Sequence, residues 1–185
     1  MDADPLTWET LEQEVAYSCP GFDVVNETVQ LPDGTETDFD YLSEPPSVAI
    51  VPVTPDGEIV LIEEWRQAVS RVNWGLPAGG VEPDDEDLEA TARRELTEET
   101  GYEAETLEQL VTVEPANGIA DAVLHFFLAR GCRPTGEQQL DHNESIRVTT
   151  SPLEELLDAI RDGDVRDGRT VLGLSYCRLV GADLG

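Results

Sequence analysis

The sequence contains no lysine and little positive charge of any kind. Its 11 cationic residues are all arginine, against 40 aspartates and glutamates, and the formal net charge at pH 7 is −29. A surface this acidic excludes nucleic-acid binding through a basic patch. Molar salt shortens the screening length to about 3 Å, so acidic groups hardly repel one another there. The composition therefore predicts a protein adapted to a salt-rich cytoplasm, as in halophilic organisms.

Long hydrophobic runs are also missing. The longest mainly apolar stretches, residues 48–53 and 122–129, are far shorter than the roughly 20 residues that span a bilayer. The first residues lack a basic segment followed by an apolar core, so no secretory signal is predicted. Three scattered cysteines, Cys19, Cys132 and Cys177, match neither a disulfide framework nor a zinc site. We therefore expect a cytoplasmic protein with reduced thiols and no membrane contact.

The length of 185 residues fits one domain with a small appendage. Asp33-Gly34 lies between β-rich runs at residues 24–30 and 35–42, which predicts a β-hairpin. We predict an N-terminal β appendage over residues 1–43 and a main domain over residues 44–185. In the main domain the patterns predict a hairpin over 48–62, strands at 107–113, 122–129 and 145–149, a helix capped by Ser151, and a last helix over 171–180.

Three glutamates recur at helical spacing in a further predicted helix, which runs from residue 85 or 86 to residue 100. Glu95 and Glu99 are four residues apart and Glu98 is three from Glu95, so all three project from adjoining parts of one face. Apolar neighbours place these acids at the edge of the buried side, where loss of water makes their charge costly. A hard divalent cation such as Mg²⁺ resolves the conflict, because it prefers oxygen ligands.

Two neighbouring features complete a predicted metal-phosphate site. The Gly79-Gly80 pair lets the main chain approach closely, so that a backbone carbonyl there can join the carboxylates. Arg94, about a quarter turn from Glu95, can orient one glutamate through a charge-assisted hydrogen bond. The alternative interpretation of the same residues is a charged helix face in solvent.

The complete motif Gly80-x5-Glu86-x7-Arg94-Glu95-Leu96-x-Glu98-Glu99-x-Gly101-Tyr102 resembles the box of the Nudix hydrolase family. This resemblance implies an α/β/α sandwich around a mixed β-sheet, here with the N-terminal β-hairpin as an appendage. It also implies Mg²⁺, or Mn²⁺ in its place, held by Glu95 and Glu99 with help from Glu98 or the Gly79 carbonyl. The implied reaction is hydrolysis of a nucleoside diphosphate linked to another group.

Segments outside the box resemble the ADP-ribose pyrophosphatase branch of that family. They are Glu64-Trp65-Arg66-Gln67, residues 76–80 and residues 142–148. The resemblance implies that Arg66 contacts substrate and that Glu144 binds metal or activates water; a solvated loop acid is the alternative for Glu144. It further implies ADP-ribose as substrate, AMP and ribose 5-phosphate as products, and a homodimer that exchanges N-terminal strands.

Several assignments stay open at this stage. Arg71 and Trp74 are candidate substrate contacts that grip phosphate and stack a base, or else an edge arginine and a packing tryptophan. The general base is Glu144, a box glutamate or Asp121, which follows a segment where this chain departs from the branch pattern. Two alternative functions are hydrolysis of another sugar nucleotide, a dinucleotide or a nucleoside triphosphate, and a non-catalytic Nudix-fold ligand sensor.

Overall fold

The computed structural model describes residues 4–182, which divide into two compact units. One unit comprises residues 4–46 and 114–123, and the other comprises residues 47–113 and 124–182. The outer ends of the two predicted domains, residues 1–3 and 183–185, lie outside the described residues. The sequence did not predict that residues 114–123 group with the N-terminal unit.

The N-terminal unit is built on a three-stranded antiparallel sheet. Its strands, in spatial order, are β1 (Glu9–Cys19), β2 (Phe22–Gln30) and β3 (Glu36–Ser43). The predicted hairpin joins β2 and β3 through a turn in which Gly34 has a φ of 85°, a conformation that favours glycine. Strand β1 was not predicted as a separate element. Its residues are exposed along almost the whole strand, and register shifts between Thr10 and Glu12 and between Val15 and Tyr17 interrupt its pairing with β2.

Residues 114–123 attach to the end of β3. The Leu42 N–H donates to the Ile119 carbonyl at 2.9 Å, and the Asp121 N–H donates to the Leu42 carbonyl at 3.0 Å. The Asp121 carboxylate accepts hydrogen bonds from the Ser43 hydroxyl at 2.8 Å and the Glu44 N–H at 2.9 Å. Asp121 thus holds a turn within the N-terminal unit.

The larger unit contains a mixed β-sheet and three helices. The main strands are β4 (Ser47–Val53), β5 (Glu58–Arg66), β6 (Arg71–Gly75), β7 (Ala78–Gly80), β9 (Thr106–Val113), β10 (Leu124–Arg130) and β12 (Ile146–Pro152). Two short strands, β8 (Tyr102–Glu103) and β11 (Arg133–Pro134), pair with each other. The helices are α1 (Leu88–Thr100), α2 (Leu153–Asp162) and α3 (Gly168–Val180), with a short 3-10 turn at Gln67–Val69.

The strand order of this sheet is β12-β5-β4-β10-β9, with β6 paired to β5 and β7 paired to β4. Strands β4 and β10 are parallel, whereas the other pairs are antiparallel. The sheet is therefore mixed, as predicted. The turn between β4 and β5 is the predicted hairpin turn, but only Val53 and Ile59 pair across it. The two strands then separate, and β7 pairs with β4 beyond that point.

Helices cover both faces of this sheet. On β4, Val48 and Ile50 share a buried cluster with Leu96 of α1. The alternate residues Ala49 and Val51 belong to a second buried cluster with Leu174 of α3. Because both faces are buried, β4 is apolar along nearly its whole length rather than alternating. This arrangement confirms the predicted α/β/α sandwich.

Helices α2 and α3 begin at other residues than predicted. Ser151 and Pro152 extend strand β12, so α2 begins at Leu153 without a side-chain cap. The pairing of Pro152 with β5 outcompetes the local capping signal. Helix α3 begins at Gly168, earlier than predicted, behind a capping aspartate. None of the helices described within residues 4–182 has the length and the hydropathy that a membrane-spanning helix needs.

Candidate active site

Helix α1 carries most of the candidate active-site residues. It begins at Leu88, later than predicted, because the Asp87 carboxylate caps it by accepting a hydrogen bond from the Ala90 N–H at 2.8 Å. It ends at Gly101, whose φ of 71° terminates the last turn. Burial of its apolar side against the sheet also draws in two carboxylates: Glu95 is 9% exposed and Glu99 is 4% exposed.

The predicted glutamates meet at one cavity of about 270 Å³. Glu95, Glu98 and Glu99 line it from α1, and Glu144 lines it from the loop before β12. Its other lining residues are Ala78, Gly79, Gly80, Val81, Glu82, Arg94, Gln139 and Asp141. The structure thus brings together residues separated by up to about a third of the chain, from Ala78 to Glu144, all within the larger unit.

Gly79 is the glycine that the cavity requires. A side chain at this position would place its Cβ 2.2 Å from Oε1 of Glu95, so the carboxylate occupies the space that glycine leaves open. A Cβ at Gly80 would meet no atom within 4 Å. Gly79 also pairs with Val48 in the β7–β4 ladder, which holds its backbone in place beneath the helix.

Burial makes the two inner carboxylates weak acids. Loss of water raises the pKa of Glu99 to about 8, against a hydrogen bond from the Ala78 N–H at 2.9 Å that favours the charged form. Burial likewise raises the pKa of Glu95 to about 7, although the neighbouring Arg94 opposes it. The charge of Glu144 contributes to both shifts. The cluster therefore holds protons that a cation would displace.

Arg94 lies among carboxylates on every side. Its Nη1 donates to Glu95 at 2.8 Å and to Glu98 at 3.0 Å, so it orients two glutamates rather than the single one predicted. Its Nη2 donates to the Gly80 carbonyl at 2.9 Å. Its Nε and Nη2 both reach Asp85, at 3.1 Å and 3.0 Å. This guanidinium holds the pKa of Asp85 well below its usual range.

The loop before β12, which carries Glu144, is hydrogen-bonded to the end of α1. The Gln139 N–H donates to the Glu98 carbonyl at 2.8 Å, and Nε2 of Gln138 donates to the Glu99 carbonyl at 2.6 Å. These bonds satisfy carbonyls that the end of a helix leaves without partners. Within the loop, Oε2 of Glu144 accepts from the Asp141 N–H at 2.9 Å. The loop therefore delivers Glu144 to the wall of the cavity.

The other predicted substrate contacts do not line this cavity. Arg66, at the end of β5, pairs with Glu64 at 2.6 Å. Arg71 donates from Nε to the Asn73 side chain at 2.8 Å. Trp74 is 39% exposed on β6. The described cavity wall thus contains none of the three, and their part in binding stays a prediction.

Sequence reasoning missed Glu64, which is 8% exposed. Burial raises its pKa, and the charge of Glu64 in turn raises the pKa of Glu99. Its Oε2 is shielded from solvent and, despite the nearby Arg66, has no well-directed hydrogen bond. The alternation of a β-strand could have revealed it, since Glu64 lies two and four residues after the buried Ile62 and Val60 and therefore on the same face of β5.

The donor set fits a hard divalent cation. All its donors are oxygen atoms, from carboxylates and from the backbone around Gly79, as Mg²⁺ and similar ions prefer. Within residues 4–182, no three acidic, histidine or cysteine side chains already lie at metal-ligating spacing. Arg94 holds Glu95 and Glu98, and the Ala78 N–H holds Glu99. An ion bound there would compete with these hydrogen bonds for the carboxylate oxygens.

Comparison with known proteins decides the family. The profile of the NUDIX domain matches residues 43–171, which is more than half of the chain. The chain belongs to the Nudix family. This membership confirms the predicted Nudix hydrolase, and Nudix hydrolases generally need divalent metal ions.

Two relatives match almost all of this Nudix chain. An ADP-ribose pyrophosphatase of Bacillus subtilis is 33% identical over 175 residues, 94% of each chain. A methanol dehydrogenase activator of Bacillus methanolicus is 31% identical over 172 residues, 92% of each chain. A solved structure described as an ADP compounds hydrolase superposes with a TM-score of 0.84, covers both chains completely and is 23% identical. That likeness shows the Nudix fold.

Proposed function

We propose that this chain hydrolyses ADP-ribose to AMP and ribose 5-phosphate, with Mg²⁺ as the divalent ion. The observation that carries the proposal is the set of buried oxygen donors around Gly79, Glu95 and Glu99. The choice of substrate is supported by relatives described as ADP-ribose pyrophosphatases. Besides the Bacillus subtilis protein, one from Mycobacterium tuberculosis is 28% identical over 168 residues, 90% of this chain and 81% of that protein.

Glu95, Glu99 and the Gly79 carbonyl would hold the ion, with Glu98 at the cavity wall as an additional ligand. When bound, a divalent ion neutralises a diphosphate and lowers the pKa of an attacking water. Before an ion binds, the negative charges of these glutamates need a partner of opposite charge. Arg94 provides it by bonding to Glu95 and Glu98 while leaving Glu99 to the Ala78 N–H.

Substrate approach depends on local positive charge, because a net charge of −29 repels a diphosphate. Arg94 already bonds to acids on all sides and is a positioning group. We therefore assign substrate contact to Arg66, which is partly exposed at the end of β5 beside Glu64. Arg71 and Trp74 on the adjacent β6 extend this assignment to the phosphate and base of the nucleotide.

We assign the general base to Glu144. Its Oε2 accepts from the Asp141 N–H, and Oε1 is not used by that bond. In the proposed reaction, Oε1 takes a proton from the water whose oxygen attacks phosphorus. The bond from that phosphorus to the bridging oxygen breaks, and the leaving phosphate keeps the electron pair. Asp121 is engaged in the N-terminal unit, which favours Glu144 over it.

A substrate panel tests this proposal. Purified protein in molar KCl is incubated with ADP-ribose, GDP-mannose, a dinucleoside polyphosphate or a nucleoside triphosphate, with Mg²⁺ or Mn²⁺. Chromatography then separates the nucleotide products. We expect AMP from ADP-ribose with the highest kcat/KM, and loss of product when the metal is chelated. A higher kcat/KM for another compound would identify that compound as the preferred substrate instead of ADP-ribose. If no compound were hydrolysed, a ligand sensor would be favoured.

We also propose that the chain forms a homodimer through its N-terminal sheet. Strand β1 is exposed along almost all of its length and carries Val15 and Tyr17, which are 57% and 60% exposed. An exposed edge strand with apolar side chains is a ready pairing surface. Light scattering of the wild type should give twice the chain mass, and V15D/Y17D should give the monomer. A monomeric wild type at micromolar concentration would refute the proposal.

A further inference from the structure

The Nudix motif and the structure disagree about which acid serves Arg94. Counted along the motif, the acid that follows the glycine is Glu86. In the structure Glu86 is exposed, and Arg94 bonds instead to the preceding residue, Asp85. The Asp85 side chain is only 8% exposed. The motif spacing therefore points one residue past the acid that the fold uses.

Asp85 is held from several directions. Its Oδ1 accepts from Nε of Arg94 at 3.1 Å. Its Oδ2 accepts from Nη2 of Arg94 at 3.0 Å, from the Glu82 N–H at 2.9 Å and from the Thr91 hydroxyl at 3.0 Å. The loop before α1 and the first turns of α1 thus both orient this carboxylate. Such a two-oxygen contact with a guanidinium sets direction as well as distance.

The planar guanidinium transmits this direction to the acid cluster. Asp85 takes the edge formed by Nε and Nη2, and the Gly80 carbonyl takes a second hydrogen of Nη2. Because the five N–H groups of arginine have a rigid geometry, holding that edge determines where Nη1 lies. Nη1 is the atom that bonds Glu95 at 2.8 Å and Glu98 at 3.0 Å.

We propose that Asp85 is a positioning residue of this active site, which orders Glu95 and Glu98 for a divalent ion through Arg94, and that Glu86 has no such part. The proposal rests on the proposed function only in that these glutamates hold the ion. Its chemistry involves no contact between Asp85 and the substrate.

The test compares Asp85→Asn with the adjacent control Glu86→Gln, each of which removes one negative charge. Binding of Mn²⁺ without substrate is measured by electron paramagnetic resonance, in parallel with kcat and KM for ADP-ribose. Loss of a group that orients metal ligands typically costs 10- to 100-fold in metal affinity or activity. We expect such a loss for D85N, with KM for ADP-ribose at saturating Mn²⁺ within about threefold, and a change under twofold for E86Q.

A double-mutant cycle with Arg94→Gln separates positioning from a general loss of charge. If Asp85 acts through Arg94, D85N adds less than twofold to the loss of Mn²⁺ affinity in the R94Q background. Equal effects of D85N and E86Q, or a D85N affinity within twofold of wild type, would overturn the proposal. If D85N does not fold, Asp85→Ser, which also removes the carboxylate, is measured instead: a loss of Mn²⁺ affinity above threefold supports the proposal, and a smaller loss overturns it.

The outcomes for Asp85 and for the proposed function can be told apart. If D85N loses Mn²⁺ affinity but the wild type does not hydrolyse ADP-ribose, the positioning role of Asp85 stands and the proposed substrate is wrong. If the wild type hydrolyses ADP-ribose but D85N and E86Q lose equal Mn²⁺ affinity, the proposed function stands and the positioning role of Asp85 is wrong.

Discussion

Glu99→Gln is expected to abolish activity and yet stabilise the metal-free protein. Burial raises the pKa of Glu99 from an ordinary value of 4.5 to about 8. Below pH 4.5 the carboxyl is neutral in both the folded and the unfolded chain. Between pH 4.5 and 8 the unfolded chain releases this proton and the folded chain keeps it. Stability of the metal-free protein therefore falls as pH rises through this window.

The magnitude follows from the two pKa values. Each pH unit between them is worth about 1.36 kcal/mol, so ionised Glu99 costs up to about 5 kcal/mol at pH 8 and above. Glutamine carries no charge, and its side-chain oxygen can still accept the Ala78 N–H that Glu99 accepts at 2.9 Å. For a chain of this length each kcal/mol shifts Tm by about 2–4 °C. We expect Tm of E99Q to exceed that of wild type by up to about 10–20 °C at pH 8.

Calorimetric melting of chelated protein between pH 5 and 9 in molar KCl checks this expectation. The two proteins should melt together near pH 5 and diverge as pH rises. Saturating Mg²⁺ should raise Tm of the wild type more at pH 8 than at pH 6, because ligation needs ionised carboxylates, and should raise Tm of E99Q little. Turnover of E99Q should be nearly absent. A variant that melts below wild type at pH 8, or keeps most of its activity, would refute the assigned role of Glu99.

Two further predictions use the contacts of the site and the charge of the surface. Gly79→Ala should displace the Glu95 carboxylate, since a Cβ there lies 2.2 Å from it, whereas the Cβ of the control Gly80→Ala meets no atom within 4 Å. Isothermal titration should show Mn²⁺ binding at least about tenfold weaker for G79A but not for G80A. Equal affinities of the two variants would contradict the geometry. The melting temperature should rise between dilute and molar KCl, because salt screens the net charge of −29. An unchanged melting temperature would contradict the predicted adaptation to a salt-rich cytoplasm.

The acid cluster was predictable because its geometry is local. Glu95, Glu98 and Glu99 lie within one helix, where residues three and four apart are neighbours whatever the rest of the fold does. The hairpin at Gly34 was predictable for the same reason, since the positive φ of its turn is signalled by the Asp-Gly pair itself. Strand β1 was not predicted as a separate strand, because its residues are exposed along almost the whole strand and register shifts interrupt its pairing with β2.

The boundary of α1 shows where local rules stop short. The sequence allowed a start at residue 85 or 86, but Asp87 takes the cap and Asp85 turns to Arg94. Either aspartate is a good capping residue, and the choice depends on where the guanidinium lies nine residues further along the chain. The cap of α2 was mispredicted for a related reason, because Ser151 is drawn into a strand pair with β5.

Residue types and their spacing were enough to establish that buried-edge carboxylates on one helix point to a cation and a phosphate substrate. Which other oxygen atoms lie near these carboxylates was decided by packing between distant segments. Gly79 approaches Glu95 from another layer of the fold, Glu144 arrives on a loop tied to the end of α1, and Glu64 joins through a neighbouring strand. Spacing along a helix is set by backbone geometry alone, whereas contacts across layers exist only once the sheet and its helices have packed.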